Sequence, residues 1–448
     1  MADNGAAAQA VNVEDLIAER PFGGFALKVM VLAFIALMAD GYDIQVMSFA
    51  APSLVREWGL DRAALAPVFS ASLFGILIGA PVMGFLGDRV GRRRAIIAGS
   101  AVYGVFCLLC LTATSLDQLM ALRFLTGLGL GGVMPNVIAL TAEMSPRKVR
   151  AGLTTLIMVG VTAGGVVPGL IAANIPSDGA WRDLFLVGGV APLVIAALMA
   201  LALPESASFL ARRKDGQARL ARLARSVDPR LAARADADFT VHAPPTRDQA
   251  GIGPLFAGRL ALVTPLLWLM FASTLLTIYL LSSWLPTLLE AGGFSPAKAA
   301  GANSLFQLGG VLGCIAASLL LGRFGARLVV ALFALTLVAV AVVARASLAE
   351  TGLAAGVFAV GFCIIATQAA LNGAAGLAYP TAARSKGVGM ALGVGRIGSV
   401  VGPLLGGAMV AAGVSNARDL FLLPLVPLAL GGLAAVLVMR RIVLDGAR

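Results

Sequence analysis

Charge is scarce in this chain of 448 residues: 13% are Asp, Glu, Lys or Arg, while 59% are hydrophobic. Soluble domains carry roughly 25% charged residues. With a mean hydropathy of +0.91, the composition excludes a soluble globular protein and leaves a polytopic membrane protein. Histidine is nearly missing. The one copy, His242, lies in a hydrophilic stretch, so a histidine proton relay inside the membrane is excluded. Cysteine is rare, and Cys107, Cys110, Cys314 and Cys363 all fall in apolar runs. The Cys107–Cys110 spacing lacks the polar surroundings of a redox pair, so plain core packing is expected. No His, Cys and acidic residues are spaced as metal ligands, and no nucleophile–base set appears, so no metal, cofactor or enzyme chemistry is expected. The first residues are acidic (Glu14, Asp15, Glu19) and lack a small-residue cleavage site, which does not fit a cleavable signal peptide.

What is present is a series of long apolar runs. A membrane-spanning helix needs about 20 mostly apolar residues, and twelve such stretches occur. The first six cover approximately 26–50, 64–87, 95–114, 118–142, 150–174 and 184–203. The second six cover approximately 259–285, 298–321, 328–346, 353–377, 387–412 and 420–440. The expected organisation is a tail (1–25), a six-helix bundle (26–203), a polar linker (204–258), a second six-helix bundle (259–441) and a short tail (442–448). Within the linker, the Arg-rich part from Phe209 to Arg225 reads either as an amphipathic helix on the membrane surface or as a solvated connection.

Basic residues fix the orientation. With both termini in the cytoplasm, the outer loops hold Arg56, Arg62, Arg182, Lys298, Arg345 and Arg418, and the spans hold Arg123 and Arg396. The remaining 26 of the 34 Lys and Arg lie on the cytoplasmic side, as the positive-inside rule requires. A formal charge of +11 therefore needs no nucleic acid to explain it.

The two halves echo each other. Arg89 after the second span and Arg323 after the eighth are 234 residues apart, as are Pro146 and Pro380, and Arg150 and Arg384. Pro168 and Pro403 are 235 apart. Parallel six-helix repeats place a substrate site at their interface near the membrane midplane.

Charges buried in the spans are the candidates for that site. Asp40 and Asp43 share one helical face. At about 1.5 Å of rise per residue, Asp40 lies roughly 18 Å from the inner edge and Asp43 roughly 22 Å, in a core about 30 Å thick. Loss of water and a like-charged neighbour both favour the neutral form of a carboxyl group, so either acid suits proton coupling. The competing reading is a fixed ion pair, Arg123 with Asp43. Arg396 is roughly 15 Å deep by the same rise. Its planar, permanently charged fork suits a carboxylate, with Gly393, Gly395, Gly398 and Gly402 leaving room; the alternative is a hydrogen bond between helices, to backbone or to Asn303 or Gln307. Arg123 sits near the outer face and either attracts anions, pairs with an acid on the first span, or snorkels to headgroups.

Tyr42, Tyr279, Trp284, Phe306 and Phe34 lie where a ring could be stacked, and Asn136, Gln307, Gln368 and Asn372 where a ring hydroxyl could be met. Trp58 and Trp181 read as interfacial belt residues. Gly127, Gly129, Gly131 and Gly132 read as a close-packing face; no strand or Walker lysine accompanies them. Glu143 is placed to pair with Arg147, Arg150 or the Arg92 cluster. Asp88, Arg89, Arg92 and Arg93 occupy a turn framed by Gly87 and Gly91, two residues able to adopt conformations closed to others.

The stretch GFLGDRVGRRR between the second and third spans resembles the signature loop of the major facilitator superfamily. DGYD in the first span, RFLTGLGLGGVMPNVIALTAEMSPRKVR through the fourth and GVGRIGSVVGPLLGG in the eleventh resemble its aromatic acid:proton symporter family. The second loop departs from the pattern, with Gly322 in place of an acid. The resemblance covers nearly the whole chain. It implies an all-α membrane protein with twelve helices in two parallel pseudo-repeats, and uptake of an aromatic carboxylate such as 4-hydroxybenzoate or protocatechuate together with a proton. Some relatives are implied to carry aliphatic dicarboxylates such as muconate. The resemblance also implies that Asp88, Arg89, Arg92, Glu143 and Arg150 gate the cytoplasmic side, and strengthens the substrate reading of Arg123.

The expected protein is thus a symporter of the cytoplasmic (inner) membrane, acting as a monomer by alternating access. Proton coupling falls to Asp40 and Asp43, and substrate binding to Arg396, Arg123, Tyr42, Tyr279, Gln307, Gln368 and Asn372. A proton-coupled efflux antiporter of cationic drugs is a second reading, disfavoured by the arginines. A solute-sensing receptor would usually need an output domain larger than these tails.

Overall fold

With no water to satisfy their backbone groups, apolar runs of this length must close their own hydrogen bonds as helices. The computed structural model describes residues 11–446 apart from 175–178, 214, 234–237, 243–251, 346–349 and 415–416. Twelve helices among the described residues are long and apolar enough to cross a membrane. In the first half they are α1 (Gly24–Trp58), α2 (Ala66–Val90), α3 (Arg92–Leu109), α4 (Leu116–Glu143), α5 (Arg150–Asn174) and α6 (Ala180–Ala202). In the second half they are α7 (Leu260–Ala291), α8 (Pro296–Phe324), α9 (Ala326–Arg345), α10 (Glu350–Ala378), α11 (Thr381–Ala411) and α12 (Leu425–Gly446). The four cysteines are buried and unpaired.

The second half repeats the first. Helix α1 packs on α5 and α6, α2 on α4, and α3 on α4 and α6. Adding six to every label gives the packing of the second half: α7 on α11 and α12, α8 on α10, and α9 on α10 and α12. The repeat extends to single residues. A Cβ built on Gly75 would collide with the carbonyl oxygen of Phe124, and one on Gly309 with that of Phe358, each residue 234 beyond its mate. The same offset links Gly127 against Ser72 to Gly361 against Phe306, and Gly164 against Met38 to Gly398 against Ala272. Helices gain little from hydrophobicity when lipid surrounds them, so backbone approach at small residues is what holds them together.

The turns repeat as well. Gly91 joins α2 to α3 with φ of 106° and Gly325 joins α8 to α9 with φ of 55°. Both values lie in a region open chiefly to glycine. Gly87, expected to share that turn, is helical instead: a Cβ there would collide with the Asn136 side chain.

Among the described residues the bundles meet mainly through α1 with α7, α2 with α11, and α5 with α8. The last two exchange equivalent hydrogen bonds. Ser70 Oγ donates to the Val400 carbonyl at 2.7 Å, and Ser304 Oγ donates to the Val166 carbonyl at 3.4 Å. Again both partners are shifted by 234. The turn of Gly91 marks one end of the molecule, here termed the basic end. At the far end Arg56 of α1 forms an ion pair with Glu290 of α7, and Trp284 of α7 donates its indole N–H to the Pro403 carbonyl at 2.9 Å.

The tail and linker pack against each other and against the first bundle. Linker helices Ala207–Ala211 and Gly216–Val227 are present. The apolar face of the second, Leu220, Leu223 and Val227, is buried in one cluster with Val13, Ile17 and Phe239 and with Leu140 and Met144 of the first bundle. That face is taken up by protein and is not left for a lipid surface. Strand β1 (Val11–Asn12) pairs in parallel with β2 (Phe239–Thr240). The Arg147 amide donates to the Ala18 carbonyl at 2.8 Å, and Arg20 forms an ion pair with Asp228.

Candidate functional site

Helix α1 carries DGYD through the middle of the first bundle, and each residue points its own way. Gly41 lets α5 approach: a Cβ there would collide with the Val161 carbonyl. Asp43 meets α4. Arg123 Nη1 and Nη2 donate to its two carboxylate oxygens at 2.9 and 3.1 Å, and Nη2 also reaches its backbone carbonyl at 3.0 Å. The two side chains are 0% and 1% exposed, and the guanidinium lies 5.6 Å from the Phe185 ring centroid. Of the readings open for Arg123, this structure shows the ion pair with the first span. Tyr42 turns away from the centre towards α6, where its hydroxyl donates to the Leu184 carbonyl at 2.9 Å. It is two residues from Asp40, and about 200° of helical rotation separates them.

Asp40 differs from Asp43. It is 1% exposed, and neither carboxylate oxygen has a hydrogen-bond partner among the described residues. Its charged neighbours are Asp43 and Arg396 of α11, and the Tyr103 hydroxyl of α3 stands beside it as a hydrogen-bonding group. Arg396 in turn makes no ion pair among the described residues; its Nη2 lies 3.8 Å from Met134 Sδ of α4, across the seam between bundles. Tyr279 of α7 is its other electrostatic neighbour besides Asp40. The alternative partners for Arg396 are engaged elsewhere. Asn303 Nδ2 donates to the Ser282 carbonyl at 3.2 Å, and Gln307 is buried in the α5–α8 seam beside Gly165.

The remaining candidates divide by location. Thr274 of α7 donates to Gln368 Oε1, and Gln368 Nε2 donates to Asn372 Oδ1 at 3.0 Å. Asn136 is removed from the centre, because its amide donates to the carbonyls of Met83 and Gly132 at 3.2 and 2.7 Å and ties α2 to α4. Phe306 and Trp284 are fully buried, Trp284 against Phe69 at the far end.

At the basic end, Arg92 Nη2 binds Glu143 Oε1 at 3.0 Å and approaches Asp88 at 3.8 Å. Arg89 covers the Phe85 ring at 4.2 Å, and Arg150 Nη2 donates to the Ser145 carbonyl at 3.2 Å. Among the described residues every one of these partners belongs to the first half, so the charges do not join the two bundles here. Sequence reading missed Glu205, whose carboxylate accepts from the Arg93 amide at 3.0 Å. It also missed Tyr103, Met134 and Thr274. Thr274 alone left a signal, since it lies 234 residues beyond Asp40.

Two six-helix bundles with equivalent packing, facing each other over buried, unpaired ionisable groups, define a transporter fold. The model of the Major Facilitator Superfamily matches residues 33–381, and the chain belongs to that superfamily. It is 38% identical to a gallate transporter of Pseudomonas putida over 405 residues, covering 90% of each chain. It is 36% identical to the 4-hydroxybenzoate transporter PcaK of the same organism over 430 residues, covering 96% of each. Among solved structures, a bacterial homologue of the human lysosomal transporter Spinster in an inward-facing, unoccupied conformation is similar. Its TM-score is 0.71 at 17% identity, covering 95% of this chain and 99% of that one, and the likeness is one of fold.

Proposed function

We propose that this protein imports an aromatic carboxylate together with protons across the cytoplasmic membrane, with both termini inside the cell. The observation that carries the reading is the contrast between two acids one turn apart. Asp43 is closed off by Arg123, while among the described residues Asp40 has no cation bound to it, only the neighbouring Tyr103 hydroxyl, and shares the centre with Arg396 from the opposite bundle, which makes no ion pair there. Burying an unpaired carboxylate costs far more than burying the neutral acid, so Asp40 is the group that carries the proton. Arg396 is left to hold the substrate carboxylate as a two-pronged donor. The names of the relatives, transporters of gallate and of 4-hydroxybenzoate, supply the substrate class.

The steps follow from charge. An empty site with Asp40 ionised holds two opposite charges on different bundles. Proton and anion entering together leave a neutral acid and a neutralised arginine, and the bundles can then move past each other with little desolvation cost. The seam held by Arg56 and Glu290 at the far end is the closed side of such a carrier. Both halves of the site belong to one chain, so a monomer suffices. One proton with one monovalent anion moves no net charge, so the pH difference drives accumulation, and each further proton would add ~2.3 kcal/mol through about 100 mV, enough for roughly a 50-fold gradient.

Calorimetric binding of 4-hydroxybenzoate to purified protein tests the anchor. Arg396→Lys should weaken binding by more than tenfold, because lysine offers no planar fork. Unchanged affinity removes Arg396 from the substrate.

A further inference from the structure

The reading of Arg396 leaves the other end of the substrate unassigned. The repeat locates groups for it. Moved by 234 residues, Asp40 falls on Thr274 and Met134 falls on Gln368. The offset holds to the residue in glycine contacts between α1 and α5, between α2 and α4, and between their counterparts, so Thr274 and Gln368 take the places in the second bundle that Asp40 and Met134 take in the first. Met134 already touches Arg396. Gln368 therefore faces the same central space from the opposite side.

The orientation of α10 supports this independently. A Cβ built on Gly310 of α8 would collide with Ile365 Cδ1 and come within 3.0 Å of Thr162 Cγ2 of α5. Ile365 thus points at the other bundle. Gln368 and Asn372 follow it by three and seven residues, the spacing of one helical face. Asn372 is solvent-exposed. An amide on that face meets water between the bundles, whereas one turned to lipid would leave its polar groups unsatisfied at high cost.

The hydrogen bonds then fix what is offered. Thr274 occupies the Gln368 carbonyl oxygen, and Gln368 occupies the Asn372 carbonyl oxygen. Among the described residues nothing accepts from the two N–H groups of Asn372, which are left for a ligand. We propose that Thr274, Gln368 and Asn372 form a ring-hydroxyl subsite, so that the protein selects hydroxylated over unsubstituted aromatic carboxylates. Asn372 donates to the phenolic oxygen, while Thr274 and Gln368 act as positioning residues that hold its amide. The inference rests on the proposed transport of aromatic acids and adds the substituent that is recognised.

The test is a pair of competition constants, for 4-hydroxybenzoate and for benzoate, measured on wild-type protein and on Asn372→Leu, Asn372→Asp and Gln368→Leu in proteoliposomes. A neutral hydrogen bond is worth about tenfold in affinity. Wild type should favour 4-hydroxybenzoate by about that factor, and the two leucine variants should lose the preference. Asn372→Asp should keep a preference, because a carboxylate accepts from the phenolic O–H where the amide had donated to its oxygen. A preference kept in both leucine variants, or an equal loss for both acids, overturns the subsite and leaves the transport reading intact. A wild type that binds neither acid overturns both.

Discussion

Asp43 and Asp40 should respond in opposite ways to the same small change. Asp43→Asn leaves the Arg123 guanidinium in a site where it is 1% exposed, with a backbone carbonyl and an amide in place of a carboxylate. Removing one partner from a buried pair costs about 3–5 kcal/mol, or roughly two to three and a half powers of ten in the folding equilibrium. Asp40→Asn removes a carboxylate that has no ion pair among the described residues and leaves an amide oxygen for its neighbour, the Tyr103 hydroxyl, so stability should hold or rise. Thermal unfolding of the four proteins in one detergent decides this: wild type, each single variant, and the double variant Asp43→Asn with Arg123→Met. The double variant should recover much of the loss, because neither charge is then stranded. Equal melting temperatures for the two single variants would refute the distinction drawn between the acids.

Gly164→Val and Gly398→Val should each prevent accumulation of folded protein, because their side chains would meet the carbonyls of Met38 and Ala272; Gly84→Ala, with nothing within 4 Å of the added carbon, should be neutral, and fluorescence-detected gel filtration compares all three. Arg56→Gln or Glu290→Gln should weaken the far-end seam and raise the labelling rate of a cysteine placed at Ala66, while exchanging the two charges should restore it. A labelling rate unchanged in either single variant would show that the ion pair does not hold the seam. His242 Nε2 lies 3.0 Å from Asp15 Oδ1, to which the protonated ring donates, and this carboxylate raises the imidazole above its ordinary range. This one ion pair between tail and linker is therefore complete below the ordinary imidazole pKa and is lost as pH rises through the raised one. Nuclear magnetic resonance of Asp15→Asn should show His242 titrating lower than in wild type.

The twelve helices were legible because each span is long, apolar and bounded by charge or glycine, and the repeat because charged turns recur at one offset. Asp40, Asp43 and Arg396 were legible as expensive groups in hydrocarbon. Which acid was paired was not, since Arg123 could be placed by depth but not by direction. Tyr42 and Asn136 looked like lining residues from their spans alone; rotation about the helix axis sends one to α6 and the other to α2. The joining of tail and linker left no local trace. It depends on a two-residue strand pair between Val11 and Phe239, and on an apolar stripe whose partner is protein and not membrane.

The most direct measurement is uptake of radiolabelled 4-hydroxybenzoate by proteoliposomes under an imposed pH gradient, acid outside, comparing wild type with Asp40→Asn. Wild type should concentrate the acid, and the concentration should collapse with a protonophore. Asp40→Asn should still exchange internal for external substrate without a gradient but should not concentrate it. Concentrative uptake by Asp40→Asn at the wild-type level would contradict the assignment of the proton to this residue.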